Sequence, residues 1–103
     1  METYPEYPDL SDKTFLIAED IDSNYTILAA LLKKTHVRIL RARNGKEAIQ
    51  IASGTASIDL ILMDISMPDS DGIEALRFIR QQLPGKIVIA QTAHDLSSSE
   101  IIN

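Results

Sequence analysis

Cysteine is absent from the 103-residue chain. Disulfides and thiolate metal sites are therefore excluded, and a cytoplasmic location is the expectation. No apolar run approaches the ~20 residues that a membrane-spanning helix needs. The opening Met1-Glu2-Thr3-Tyr4-Pro5-Glu6-Tyr7-Pro8 has neither a basic start nor an apolar stretch, so it does not read as a signal peptide. Positive charge is also scarce: 10 Lys and Arg stand against 15 Asp and Glu, for a formal net charge of −5. Nothing here suggests that this chain alone binds nucleic acid or contacts an anionic membrane. No internal repeat is visible. What remains is a chain 45% hydrophobic and 24% charged, an ordinary soluble composition long enough for one domain around one core.

Residues 1–13 hold two of the four prolines and no periodicity, and read as a linker or tail. The domain is expected over 14–103. Phe15-Leu16-Ile17-Ala18 is a short apolar run closing on Glu19-Asp20, the pattern of a buried parallel strand. Asp22, Ser23 and Asn24 offer N-cap chemistry for a helix whose apolar stripe is Tyr25, Leu28, Leu31 and Leu32. His36 to Ala42 alternates polar and apolar residues, with Arg38, Arg41 and Arg43 suggesting a solvated edge strand. Asn44-Gly45 reads as a turn before a short helix over Lys46 to Ala52, ended by Ser53-Gly54. Leu60-Ile61-Leu62-Met63 is a third strand closing on Asp64, and Met67 to Gly72 a loop. Ile73, Leu76, Ile79 and Leu83 mark another helix stopped by Pro84-Gly85, and Ile87 to Ala90 a fourth strand leading to Thr92. Ser97-Ser98-Ser99-Glu100 has the form of a capping box opening a fourth helix.

This alternation predicts an α/β fold with a doubly wound parallel sheet. With the charged strand at the edge, the natural order is 2-1-3-4, the flavodoxin-like pattern. Such sheets bind ligands at the carboxyl ends of the strands, where the order reverses between strands 1 and 3. Glu19, Asp20 and Asp64 end those two strands and so meet in one crevice. At about 4 Å and an effective dielectric of about 20, each close pair of carboxylates costs about 4 kcal/mol. A divalent ion that prefers oxygen ligands would offset this, and few carboxylates with room for water suit Mg2+ better than calcium. Neither His36 nor His94 lies where a zinc site would need it. An aspartate in such a site is a competent nucleophile toward phosphorus, and Thr92 is placed to donate its hydroxyl to a phosphoryl oxygen.

Plainer readings exist for each residue. Glu19-Asp20 alone would serve as helix-capping acids, and Thr92 alone as an ordinary strand-end residue. Asp69 and Asp71 suit turn and N-cap roles, Met63 and Met67 packing, and His94 the surface. Their order in the chain is what raises the chemical reading.

These residues resemble the response-regulator receiver family from about Thr14 to the last residue. The acidic pair after strand 1 is matched by Glu19-Asp20, and the phosphoacceptor segment by Asp64-Ile65-Ser66-Met67-Pro68-Asp69-Ser70-Asp71-Gly72. The family's Thr or Ser after strand 4, with a small residue behind it, is matched by Thr92-Ala93. The resemblance implies that Asp64 accepts phosphate and that Asp20 binds magnesium directly. It implies that Glu19 reaches the metal mostly through water, that the Ser66 backbone carbonyl adds a ligand, and that Thr92 senses the phosphoryl group and moves. It implies a histidine kinase or histidine phosphotransfer protein as donor, and self-catalysed phosphorylation and slow dephosphorylation. Tyr7 to Thr14 also resembles the linker before receivers of hybrid sensor histidine kinases, beside the alternative of a stand-alone regulator.

The family's fold is completed by a fifth strand ending in a lysine and by a fifth helix. The sequence ends at Asn103, and neither Lys86, at the wrong end of strand 4, nor Lys46, in helix 2, fits that role. The expectation from these residues alone is a sheet with strand 4 exposed at one flank, open to association, with phosphorylation impaired and metal binding retained. A receiver-like protein-interaction module that no longer turns over phosphate is the alternative function. An aspartyl-phosphate hydrolase fits less well, because such enzymes carry a second aspartate two residues after the nucleophile and position 66 is Ser.

Overall fold

The computed structural model describes residues 7–55, 57–66 and 72–91. There the apolar runs and amphipathic stretches become β1 (Thr14–Ala18), α1 (Asp22–Lys33), β2 (Arg38–Ala42), α2 (Gly45–Gly54), β3 (Leu60–Asp64), α3 (Gly72–Gln82) and β4 (Val88–Gln91). The strands are all parallel, in the order β2-β1-β3-β4, as the doubly wound reading requires. Thr92, the loop from Met67 to Asp71 and the capping-box sequence Ser97 to Glu100 lie outside the described residues.

Strand periodicity divides the sheet's side chains between two faces. Leu16 and Ala18 of β1, Leu40 and Ala42 of β2, and Ile61 and Met63 of β3 pack on one face against Ala48 and Ala52 of α2 and Ala75 and Ile79 of α3. Alanines at the helix contacts let both helices lie close to the strands. Ile17, Ile39 and Arg41 belong to the opposite face, where the Arg41 guanidinium stacks on Tyr25 of α1. None of the α1 residues is fully buried, and Leu31, counted in its apolar stripe, is 65% exposed. The stripe is wider than the strip of sheet that α1 covers.

Several local expectations are corrected. Asp22, Ser23 and Asn24 do not cap α1: its N-cap is Ile21, without a side-chain bond, and Asp22 lies in the first turn. An acid there still suits the helix dipole. Asn44 instead caps α2, its side chain accepting from the Glu47 N–H at 2.8 Å, while Glu47 Oε1 accepts from the Arg43 N–H at 2.8 Å. Asn44-Gly45 is thus a capped helix start, with Glu47 reaching back one residue beyond the cap to Arg43, and not a separate turn. His36 is not strand: it sits in the left-handed region at φ 64°, closing the turn after α1. Ahead of β1, the Leu10 N–H donates to the Thr35 carbonyl at 2.7 Å, and the Lys34 ammonium lies 5.2 Å from the centre of the Tyr7 ring.

Candidate functional site

β1 lies directly beside β3, with Ala18 opposite Met63. One residue further along, Glu19 comes level with Asp64. The ladder continues past the strands on both sides: the Glu19 N–H donates to the Ala42 carbonyl at 2.9 Å, and the Ile65 N–H to the Gln91 carbonyl at 2.8 Å. Backbone pairing thus fixes where the two strand-end acids stand. One oxygen each from Glu19, Asp20 and Asp64 lie within 4.8 Å of one another. Glu19 and Asp64 are buried and Asp20 is half-buried, so the cluster opens toward solvent through Asp20.

Hydrogen bonds orient two of these carboxylates. Asp64 Oδ1 accepts from the Ser66 N–H at 2.9 Å and from the Ser66 hydroxyl at 2.6 Å. Glu19 Oε2 accepts from the Ile21 N–H at 3.2 Å. Burial pushes the Glu19 carboxyl above its ordinary value, the Ile21 N–H opposes this, and the adjacent Asp64 charge adds to the rise. The donor set is wholly oxygen, with few carboxylates and one side open to water, which fits magnesium rather than zinc or calcium.

α3 begins hard against this site. A Cβ on Gly72 would stand 2.7 Å from the Ile65 Cα and closer still to the Asp64 carbonyl oxygen. No described glycine has a positive φ, so it is close approach, not backbone conformation, that requires glycine at 72.

The structure brings together Glu19, Asp20 and Asp64, as expected from the sequence. Ser66 is adjacent, but through its hydroxyl and N–H on Asp64, a contact the sequence did not suggest. Thr92 lies outside the described residues. Lys86 is indeed remote in the topology, at the amino end of β4, where its Nζ donates to the Thr55 carbonyl at 3.2 Å. Arg41 corrects the reading of a solvated arginine edge. Its side chain is only 15% exposed. It bonds to the Glu19 carbonyl and pairs with Asp22. The signal was there in the alternation of β2, which puts Arg41 on the same inward face as Ile39.

Residues 15–101 match the family model of the response regulator receiver domain. The chain is 35% identical over 85 residues to the two-component response regulator ORR42 of Oryza sativa subsp. japonica, covering 82% of this chain and 64% of that protein. It is 39% identical over 70 residues to the hybrid signal transduction histidine kinase A of Dictyostelium discoideum, covering 68% of this chain and 3% of the kinase. The chain thus spans less than two thirds of either relative. Among solved structures it superposes with a TM-score of 0.75 and 28% identity on the response regulator TrrA of Thermotoga maritima in complex with Mg2+–BeF, covering 86% of this chain and 76% of that one. The receiver domain of Ssk1, crystallised with the histidine phosphotransfer protein Ypd1 of Saccharomyces cerevisiae, gives a TM-score of 0.70 at 30% identity, over 88% of this chain and 68% of that one.

Proposed function

The chain belongs to the response regulator receiver domain family, and from that premise we propose that it accepts a phosphoryl group on Asp64 in a magnesium-dependent step of a phosphorelay. The observation that carries this reading is the convergence of Asp64 with Glu19 and Asp20 at the carboxyl end of the central strands. The donor is a phosphohistidine on a histidine kinase or phosphotransfer protein, the kind of partner seated on the Ssk1 receiver in its crystal structure. The action belongs in the cytoplasm; no described helix is long and apolar enough to cross a membrane. The β4 edge, with Ile87 and Ile89 exposed, is the side on which a further strand or a partner would add.

In the reaction a carboxylate oxygen of Asp64 attacks phosphorus. The phosphorus–nitrogen bond of the donor breaks, its electron pair returns to the imidazole, and an acyl phosphate remains on Asp64. Ser66 holds Oδ1 through two bonds and so aims the carboxylate, while the burial of Asp64 limits competing water. Glu19, Asp20, Asp64 and the Ser66 backbone carbonyl would hold the metal. Bound there, magnesium would neutralise charge on the attacking carboxylate and on the incoming phosphoryl oxygens. Thr92 supplies the hydroxyl that meets the phosphoryl group.

The test is incubation of the 103-residue chain with acetyl phosphate and magnesium, followed by intact mass. One added phosphoryl group, lost when EDTA replaces magnesium, is the expected result. No gain in a sample shown to be folded would turn the reading to a receiver-like interaction module or to an incomplete domain, and a longer chain carrying a fifth strand and helix would separate these two.

A pH dependence follows from Glu19. Its pKa is raised in the folded state, so its contribution to stability is complete below the unfolded value, near 4.5, and is lost as pH rises through the folded value. The metal-free protein is therefore penalised toward neutral pH, where the cluster carries most charge. Magnesium should raise Tm more at about pH 8 than at about pH 5, with on the order of 5 °C for each kcal/mol of linkage. Thermal scans with magnesium or EDTA at both pH values check this, and an equal shift at both would contradict it.

A further inference from the structure

Arg41 is an unusual tenant of β2. It takes an inward position on a strand whose preceding inward residue is Ile39, and an apolar side chain there would meet the needs of packing. Instead the guanidinium engages the β1–α1 loop with all three of its nitrogens. Nε and Nη2 donate to the Glu19 carbonyl oxygen at 3.2 and 3.0 Å. Nη1 pairs with Asp22 Oδ1 at 2.8 Å. The planar group also stacks over Tyr25, with Cζ 4.4 Å from the ring centre.

These contacts fall on both sides of Asp20. The Glu19 carbonyl belongs to the peptide unit that joins Glu19 to Asp20, so fixing it orients both acids at once. Asp22 opens α1 and sets the far end of the loop. The Asp22 carboxylate is 75% exposed and is also held by Arg43 at 3.0 Å, so this ion pair alone contributes little. The less exposed bonds to the Glu19 carbonyl, together with the stacking, are what make Arg41 rigid. A guanidinium is suited to this because its planar fork serves several acceptors at once, which an ammonium cannot do.

Building on the magnesium-dependent reading above, we propose that Arg41 is a positioning residue for the metal site: it clamps the β1–α1 loop from β2 and presets Glu19 and Asp20 to receive the cation. Arg41 touches neither the metal nor phosphate in this role. It acts through the acids, as outer partners of metal ligands do.

Positioning and plain electrostatics predict opposite signs. Removing a cation beside an acidic cluster would by charge alone tighten binding of Mg2+. Loss of a clamp weakens it. The experiment is a magnesium titration of the 103-residue chain followed by the NMR amide signals of Glu19, Asp20 and Asp64, for the parent, Arg41→Met and Arg41→Lys. Thermal unfolding in EDTA is run alongside to show that each variant is folded. The expected result is about a 10-fold loss of magnesium affinity in Arg41→Met, the scale set by outer partners of metal ligands. Arg41→Lys, which keeps the charge but not the fork, should stay weakened. Unchanged or tighter binding in a folded variant overturns the proposal, and if Arg41→Met does not fold, Arg41→Lys decides in the same way. A parent that binds no magnesium overturns the metal-site reading and this inference together, whereas a parent that binds while the variants match it overturns only the inference.

Discussion

Asp64→Asn is expected to abolish phosphoryl transfer to the chain, lowering the rate of incorporation from acetyl phosphate by at least about 10³-fold. The substitution keeps side-chain shape but removes the nucleophile: an amide oxygen does not form a stable phosphoryl adduct. It also disturbs the local bonding. Asp64 Oδ1 accepts from both the N–H and the hydroxyl of Ser66, and an amide can keep this pattern only with its oxygen turned to Ser66. Its NH2 would then point into a cluster of acids, which it can satisfy, so the variant should fold. It should even gain stability without magnesium, because one of the three crowded carboxylates is gone. Intact mass, with peptide mapping of any residual adduct, provides the check. Incorporation at the parent rate in Asp64→Asn would move the acceptor to Asp20 or Glu19, the other acids in reach.

Gly72→Ala is expected to be strongly destabilising. The added Cβ would meet the Ile65 Cα at 2.7 Å and crowd the Asp64 carbonyl oxygen, and both obstacles are backbone. A flexible side chain could swing aside; the end of β3 cannot, because Ile65 is bonded onward to the Gln91 carbonyl. The start of α3 must therefore shift away from the sheet. Overpacking of this kind costs about 3 kcal/mol, and more where no neighbour can yield. It would also pull at the segment that orients Asp64, so phosphoryl incorporation should fall along with stability. Gly85→Ala is the control, since nothing lies within 4 Å of its added Cβ, and its effect should stay within about 0.5 kcal/mol. Urea or thermal unfolding of the two variants separates these outcomes. A Gly72→Ala protein as stable as the parent would show that α3 is not seated against the site as described.

Much of this site was legible because it is encoded at strand ends. Phe15 to Ala18 and Leu60 to Met63 are apolar at every position, as strands covered on both faces must be, and each run closes on acids. Once the runs are strands of one parallel sheet, adjacency of β1 and β3 follows from the winding, and adjacency brings Glu19 and Asp20 to Asp64. Local chemistry read less well. Asp22 looked like a helix cap because of its residue type and place, yet it is drawn to Arg41 and Arg43, partners on another strand and the loop beyond it. Asn44 looked like a turn residue next to Gly45, and became a cap because its side chain accepts from the Glu47 N–H while the Glu47 carboxylate holds the Arg43 N–H just ahead of it. Leu31 fitted a helical stripe that the sheet covers only in part.

The sequence by itself determined the alternation of strands and helices, the parallel order with a charged strand at the edge, and the identity of the acids that meet at the switch point. These depend on periodicity and on which residues close each run, and both can be read along the chain. Only the tertiary structure decided what Arg41 does and why position 72 must lack a side chain. Arg41 is defined by a carbonyl 22 residues earlier in the chain. Gly72 is defined by a strand end across a loop. Each is a short-range contact between segments distant in sequence, and its geometry exists only once the sheet has fixed where those segments stand.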